Sequence, residues 1–446
     1  MFKLLPFLVA AGLVLAGAPS AVAGAPPPVL DWQPCEPAGF ECATAEVPRD
    51  HARPQGTKLE LAMIRWPASD RENRIGSLFL NPGGPGGSGV RMVREAPRPA
   101  LAAFGRLYDI VGVDPRGVGA SRPAVQDCGV RYQGDQYLRP ETLDREAVVR
   151  SARDQLRRCD AASGGILPYL TTANVARDFD LLRAAVGDAK FNYFGVSYGG
   201  VIGELYTSLF PGRTGAMVLD SPADADVWYN EPFEAINEQL ASFDRSLDRW
   251  QHWCSRHEAI CALDPEDPQD DFDALVAQLN AAPVPVLSDL SQPPVNGDEM
   301  LGVFLDGVYS RFDWAPLAAA LTAARQGDGS ALRAFFGPVD DDAGTPTGAF
   351  FAYMANEGLY RGGADRFLRE KEHTFGLSDR FGWTRGYEWV GLTLWPFEPR
   401  GSYRGPFRHA AGAQPVLVIG GTHDPATPYR WAKRVVADLG NARLLT

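Results

Sequence analysis

Apolar and polar positions alternate with two different periods along the chain. Leu59 to Trp66 alternates with a period of two, the pattern of a half-buried strand. Ile75 to Leu80, Tyr108 to Val113, the run opening at Phe191, Ala216 to Asp220 and Pro415 to Gly420 are short and almost wholly apolar, as strands covered on both faces are. Thr172 to Val186 has the helical period, with Val175, Phe179, Leu182 and Val186 on one face. A second helix is predicted from about Tyr198 to Phe210, where Pro211-Gly212 stops it. Strands alternating with helices imply a mostly parallel sheet of the α/β class. From about Ala223 to Ala411 the pattern breaks into a stretch rich in Trp, Phe, Asp and Pro, with helical segments such as Phe272 to Leu279 and Leu317 to Ala324. The sheet pattern then returns. The chain therefore divides into a core over 24–222, a large, mainly helical cap over 223–411, and the rest of the core over 412–446. The cap would lie over the carboxyl ends of the strands, where open α/β sheets bind ligands.

The first 23 residues stand outside this pattern. Lys3, an apolar run from Leu4 to Gly17 and the A-x-A site Ala21-Val22-Ala23 form a secretory signal peptide, cut after Ala23. The run is short for a membrane span, and no other stretch is long enough for one, so no stable membrane insertion is expected after cleavage. Export changes the reading of the six cysteines, which become candidates for disulfides. The local pairs Cys35–Cys42, Cys128–Cys159 and Cys254–Cys261 are favoured among the possible pairings. Zinc at His252, Cys254, His257 and Cys261 is the rival, but that spacing matches no standard zinc motif. No metal and no cofactor is expected.

Net charge is −12 with 45% hydrophobic residues, a soluble globular composition that argues against a nucleic-acid partner. The charge is unevenly placed. Residues 224–410 carry 30 Asp or Glu against 15 Lys or Arg, a net of −15, and the remainder nets +3. Most of those carboxylates are solvated surface. A few of them would favour a cationic group near a site beneath the cap.

Gly195-Val196-Ser197-Tyr198-Gly199 fits G-x-S-x-G, with an apolar strand before it and a helix after it. A serine on so tight a turn sits in a strained backbone and is lifted clear of the sheet above a helix N-terminus, which favours negative charge. Asn81-Pro82-Gly83-Gly84-Pro85-Gly86-Gly87-Ser88-Gly89 follows a strand, and its glycines let backbone N–H groups approach a ligand. A phosphate loop is the alternative, without the Lys-Ser/Thr ending. In a serine hydrolase the N–H groups of Gly84 and Tyr198 would form the oxyanion hole. Asp114-Pro115-Arg116-Gly117 reads as a turn stiffened by a local Asp–Arg contact. Asp424 follows the last full strand, in the hydrolase order of serine and then acid. Thr427 before Pro428 reads as a helix N-cap with proline at the first helical position.

Together these segments resemble the secreted tripeptidyl aminopeptidase and proline iminopeptidase branch of the α/β-hydrolases, over nearly all of the mature chain. The resemblance rests on Cys35 and Cys42, Asn81-Pro82-Gly83-Gly84-Pro85-Gly86, Asp114 to Ser121, the Ser197 motif with Gly200, and Asp424-Pro425-Ala426-Thr427-Pro428. It implies removal of short peptides or single residues from free amino termini, and a cap whose carboxylates bind the substrate ammonium. Ala352 to Glu357 resembles the family's cap segment, which makes Glu357 the candidate for holding the amino group. Two departures stand out within the cap. A cysteine is common in the family at Ala355, and its partner is expected where Leu392 stands. A third concerns the base: no histidine follows Asp424. Residues 441–446 read as the first half of a final strand, so the chain as given is expected to be truncated there and to lack its catalytic histidine.

The expected protein is an exported serine exopeptidase acting on peptides with free amino termini. Ser197 would be its nucleophile, Tyr198 and Gly84 its oxyanion donors, Asp424 its acid and Glu357 its substrate-binding carboxylate. A secreted esterase or lipase on the same scaffold, and a degenerate homologue that only binds peptides, are the alternatives.

Overall fold

The computed structural model describes residues 25–125, 128, 144–335, 347–360, 362–375, 377–378, 380–382 and 389–446. The expected signal peptide lies outside them. Among the described residues nine strands form one sheet: β1 (Gln33–Cys35), β2 (Phe40–Pro48), β3 (Lys58–Trp66), β4 (Gly76–Asn81), β5 (Tyr108–Val113), β6 (Phe191–Val196), β7 (Thr214–Asp220), β8 (Val416–Ile419) and β9 (Ala442–Leu445). Their order is β1-β2-β3-β5-β4-β6-β7-β8-β9. The first three strands and the β3–β5 pairing are antiparallel, and every other pairing is parallel. After β4 the chain steps outward to β5, then crosses back to β6 on the other side of β4. The loops after β4 and β6 therefore leave in opposite directions and open a crevice at their carboxyl ends.

Helices α1 (Gly89–Glu95), α2 (Arg145–Ala162), α3 (Thr172–Ala185) and α4 (Tyr198–Leu209) belong to the first part of the chain. The sheet face under α3 and α4 is aromatic. Phe191 lies 5.0 Å from Phe79, 5.8 Å from Phe179 and 4.2 Å from Tyr206, ring centre to ring centre. These side chains are fully buried, and each removes a large apolar surface from water, worth about 1.5–3 kcal/mol for a core side chain of this kind. The opposite face packs Val90 and Val93 of α1 against Ile64 and Ile110.

Between β7 and β8 the described residues form helices, beginning with Ala225–Asn230 and the 23-residue α5 (Pro232–Cys254), and including α6 (Thr347–Glu357). This cap has an apolar cluster of its own, built around Trp250, Phe272, Phe304 and Leu317. That cluster also takes Val148 and Ala152 of α2, a helix that precedes β6, so the cap is completed by residues from the core segment. Where the family resemblance leads to cysteines, Leu392 is packed in the cap's apolar cluster and Ala355 against it. After β8, α7 (Tyr429–Leu439) leads into β9.

The three disulfides join Cys35 to Cys42, Cys128 to Cys159 and Cys254 to Cys261, as expected from the spacing. The last pair commits both sulfurs of the rival zinc set. No helix among the described residues is long and apolar enough to cross a membrane.

Candidate active site

Ser197 stands between the last residue of β6 and the first turn of α4, with φ 57° and ψ −121°. Among the described residues only Ser197 and Ser221 are non-glycine positions with positive φ. Such a conformation costs about 1–3 kcal/mol and persists only where the surroundings hold it. Here they do. The N–H of Ser197 donates to the carbonyl of Asp220 at 2.9 Å, and its own carbonyl accepts from Gly200 and Ala223. The flanking glycine is required by contact: a Cβ on Gly195 would lie 2.4 Å from the carbonyl oxygen of Gly199.

The glycine-rich loop after β4 closes on this turn. A Cβ on Gly83 would meet the carbonyl oxygen of Val196 at 2.4 Å and the backbone nitrogen of Tyr198 at 3.0 Å. The N–H of Gly83 is committed to Asn81 Oδ1 at 2.9 Å, so it is not a free donor. The next N–H along the loop is that of Gly84, the expected donor. Asp114 anchors the loop from beneath: its Oδ1 accepts from Ser88 Oγ at 2.5 Å and from the N–H of Val90 at 3.1 Å, while Oδ2 accepts from the N–H of Ala120.

The expected local contact between Asp114 and Arg116 is therefore absent. Arg116 instead runs into the core, fully buried, and pairs with Asp178 on α3 through Nε at 2.8 Å and a terminal nitrogen at 2.7 Å. His51 Nε2 lies 2.9 Å from the same carboxylate. Carboxylate capture by a partner 62 residues away outcompetes a contact two residues away, because Asp114 is already saturated by hydroxyl and backbone donors.

Asp424 lies past β8 and shares a cleft of about 480 Å³ with Ser197, Ser221, Tyr309, His423 and Thr427. Its Oδ1 accepts from the N–H groups of Ala426 and Thr427 at 3.0 and 2.8 Å, and its Oδ2 from Thr427 Oγ1 at 2.9 Å. Thr427 is thus not the N-cap of α7; Pro428 takes that place, without a side-chain cap bond. The Thr427 hydroxyl donates to Asp424, and the helix begins one residue later than the proline signature suggests. His423 turns Nδ1 to Thr422 Oγ1 at 2.9 Å and makes no bond to Asp424.

A carboxylate that the sequence reading passed over sits beside this cleft. Asp220 ends β7, in register between Val196 and Ile419 and so between the strands that carry Ser197 and lead to Asp424. Burial and then the charge of Asp424 raise its pKa, against a hydrogen bond from Ser221 Oγ. The signal in the sequence was its place at a strand end in the hydrolase order.

Glu357 ends α6 and is buried. Its Oε1 accepts from the N–H of Thr172 at 2.5 Å, and its Oε2 has no partner. Burial pushes its pKa up to about 7. With Pro85, Tyr198, Trp228 and Tyr229 it lines a cavity of about 10 Å³, room for one water-sized group. Tyr198, the residue after Ser197, joins Glu357 through Thr172, whose Oγ1 lies 2.5 Å from the Tyr198 hydroxyl. Arg404 holds the helix end in place by donating to the carbonyls of Asn356 and Glu357. The structure therefore brings Ser197 and Asp424 to one cleft, and sets Glu357 in a separate cavity lined by Tyr198.

Comparison with known proteins identifies the family. Residues 76–258 match the family model described as alpha/beta hydrolase fold, and residues 383–446 match that of TAP-like protein. The tripeptidyl aminopeptidase of Streptomyces coelicolor is 31% identical over 98% of this chain and 82% of its own length. Serine protease Hip1 of Mycobacterium tuberculosis is 30% identical over 95% and 86%. Carboxylesterase B of the same organism is 33% identical over 91% and 79%.

Proposed function

We propose that this chain, which belongs to the tripeptidyl aminopeptidase family of α/β-hydrolases, is an exported serine exopeptidase that releases short peptides or single residues from free amino termini. The observation that carries the reading is the buried, half-partnered carboxylate of Glu357, in a cavity it shares with Tyr198, the residue after the serine. A carboxylate oxygen without a donor is costly in a dry cavity. A substrate ammonium would supply the missing partner and hold the group ionised.

In this reading Ser197 Oγ attacks the carbonyl carbon, and the N–H groups of Tyr198 and Gly84 hold the developing oxyanion. The acyl-enzyme forms as the amine leaves with a proton, and water then releases the peptide. Asp424 orients a histidine base. Among the described residues no histidine is bonded to Asp424 or Ser197. His51 serves Asp178, His252 and His257 bond to carbonyls of their own turns, His409 to Gln414, His423 to Thr422, and His373 lies exposed near the end of a cap helix.

The test compares free and N-acetylated peptides of one sequence, with a fluorophosphonate probe reporting Ser197. Acetylation is expected to raise KM sharply or stop cleavage, and Ser197→Ala to lose several powers of ten in kcat. Equal rates on the two peptides would sink the exopeptidase reading. A secreted esterase is the second reading, favoured by the similarity to a carboxylesterase. Faster Ser197-dependent turnover of acylated esters than of free-amine peptides would select it.

A further inference from the structure

The cleft beside Ser197 has one lining residue from the cap, Tyr309. Five positions on, the same segment contributes Trp314 to a second depression of about 360 Å³. Its buried lining is aromatic: Trp314 and the half-buried Trp253 lie 5.7 Å apart, and the indole N–H of Trp314 has no acceptor. Its exposed lining is cationic. Arg249, Arg256 and Arg311 surround it, and Arg311 stacks over the Trp314 ring at 5.3 Å. Among the described residues none of the three has an ion-pair partner. The pocket's carboxylate, Asp248, is already engaged by Arg380 at 3.4 Å and Gln269 Nε2 at 2.9 Å. His252 donates Nδ1–H to the Asp248 carbonyl, which leaves Nε2 available.

Three unpaired guanidinium groups are out of place in a segment where acids outnumber bases 30 to 15. Elsewhere in the cap, arginines such as Arg325 and Arg380 find carboxylates. An anion drawn to this segment would be repelled over most of its surface and welcomed here.

Helix α5 measures the separation from the active site. Ser242 Oγ donates to the carbonyl of Asp424 at 2.9 Å, fixing one end of the ruler. Arg249 and Arg256 lie seven and fourteen residues further along, so the depression is about 10–20 Å from the Asp424 loop at 1.5 Å per residue. An extended peptide at roughly 3.3 Å per residue covers that distance in about three to six residues. Direction follows from the linings of the two spaces beside the serine turn. Glu357 shares its cavity with Pro85, Tyr198, Trp228 and Tyr229. The cleft of Ser197, Ser221 and Asp424 contains none of these residues and has Tyr309 as its wall from the cap. A chain with its amino group at Glu357 and its scissile carbonyl at Ser197 leaves past Tyr309, toward the arginines.

We infer that the Arg249–Arg256–Arg311 depression binds acidic side chains of the peptide substrate about three to six residues beyond the scissile bond. The enzyme therefore selects chains that are acidic shortly after their amino terminus. This inference rests on the exopeptidase reading, and the experiment separates the two.

Full-length Ser197→Ala protein is titrated by tryptophan fluorescence with free-amine dodecapeptides that differ only in a Glu, Gln or Lys block at about residues six to nine. The Glu peptide is expected to bind about tenfold tighter than the Lys peptide at low salt, with Gln between them. The spread should collapse at high salt and in a variant carrying Arg249→Glu, Arg256→Glu and Arg311→Glu, which are exposed positions. Equal binding of the Glu and Lys peptides, or a preference that survives charge reversal, overturns the inference. Should no dodecapeptide bind, the exopeptidase reading is what fails. N-acetyl hexaglutamate then tests the depression alone: arginine-dependent binding sustains it, and no binding overturns it. Tighter arginine-dependent binding of inorganic tripolyphosphate than of hexaglutamate would assign the depression to phosphate polymers and overturn the peptide assignment.

Discussion

Thr427 shows how one hydroxyl decides the geometry of the candidate acid. It donates to Asp424 Oδ2 while two backbone N–H groups hold Oδ1. Thr427→Val keeps the volume and removes one charge-assisted bond, so the carboxylate can rotate without leaving its loop. We expect kcat to fall about tenfold with KM little changed, read from initial rates and from the rate of fluorophosphonate labelling. Unchanged rates would show that the backbone donors suffice. Glu357 gives a prediction of the opposite kind, on stability. Its pKa is raised from 4.5 to about 7, so between those pH values the folded state binds more protons than the unfolded state. Stability from this group is full below about pH 4.5 and is lost as pH rises through about 7. The loss is on the order of 3 kcal/mol at this burial. Glu357→Gln should therefore unfold at higher denaturant than wild type at pH 8, and the gap should close by pH 5. A pH-independent gap would refute the shift. Ser197 and Asp424 were legible in the sequence because each sits in a short motif bounded by a strand. Thr427's role was not, since a threonine before Pro428 carries the N-cap signature, and only the turn's geometry brings its hydroxyl to Asp424.

At the scale of elements, α3 is tied to the loop after β5 by the Arg116–Asp178 pair, with the Arg116 guanidinium also donating to the carbonyls of Arg49 and Pro48. Tyr353 of α6 donates to the carbonyl of Arg116 at 3.0 Å, which brings the cap onto the same anchor. Asp178→Ala would leave a buried guanidinium with only backbone and histidine partners and should cost about 3–5 kcal/mol, measured by urea unfolding. Combining it with Arg116→Met should recover much of that loss, because no buried charge then remains. A double variant no better than the single would place the cost in packing. The parallel strands and α3 could be read from apolar runs and the helical period, and their ends fall within two or so residues of the expected ones. β1 and β2 could not. Their residues, such as Gln33, Glu41, Thr44 and Glu46, are too polar for a buried run, and antiparallel pairing with β3 supplies the stabilisation. The Arg116–Asp178 link was invisible for a different reason: nothing local marks a partner 62 residues away.

Among the described residues, the apolar side chains of core and cap form separate clusters that meet along shared helices, α6 among them. Ala349, Ala352 and Tyr353 of α6 pack in the core cluster, and Met354, Phe350 and Ala355 pack in or against the cap cluster. The cap's contribution from α2 could not be read from the pattern either, since its amphipathic period does not say which body its apolar face joins. Glu357 closes α6. Separately packed clusters of this size tend to open as separate cooperative units. Calorimetry should then resolve two transitions, and the one that parts the cap from the core must carry the carboxylate away from Tyr198. A ligand held at both places binds only the joined state, so its concentration enters the melting of one unit and not the other. A free-amine peptide should raise the cap transition of Ser197→Ala protein while the core transition stays fixed, and its acetylated twin should move neither. By the same linkage, heat or denaturant that loosens the cap weakens amino-terminal recognition before it disturbs the strained serine turn, so probe labelling of the serine outlasts the preference for free termini.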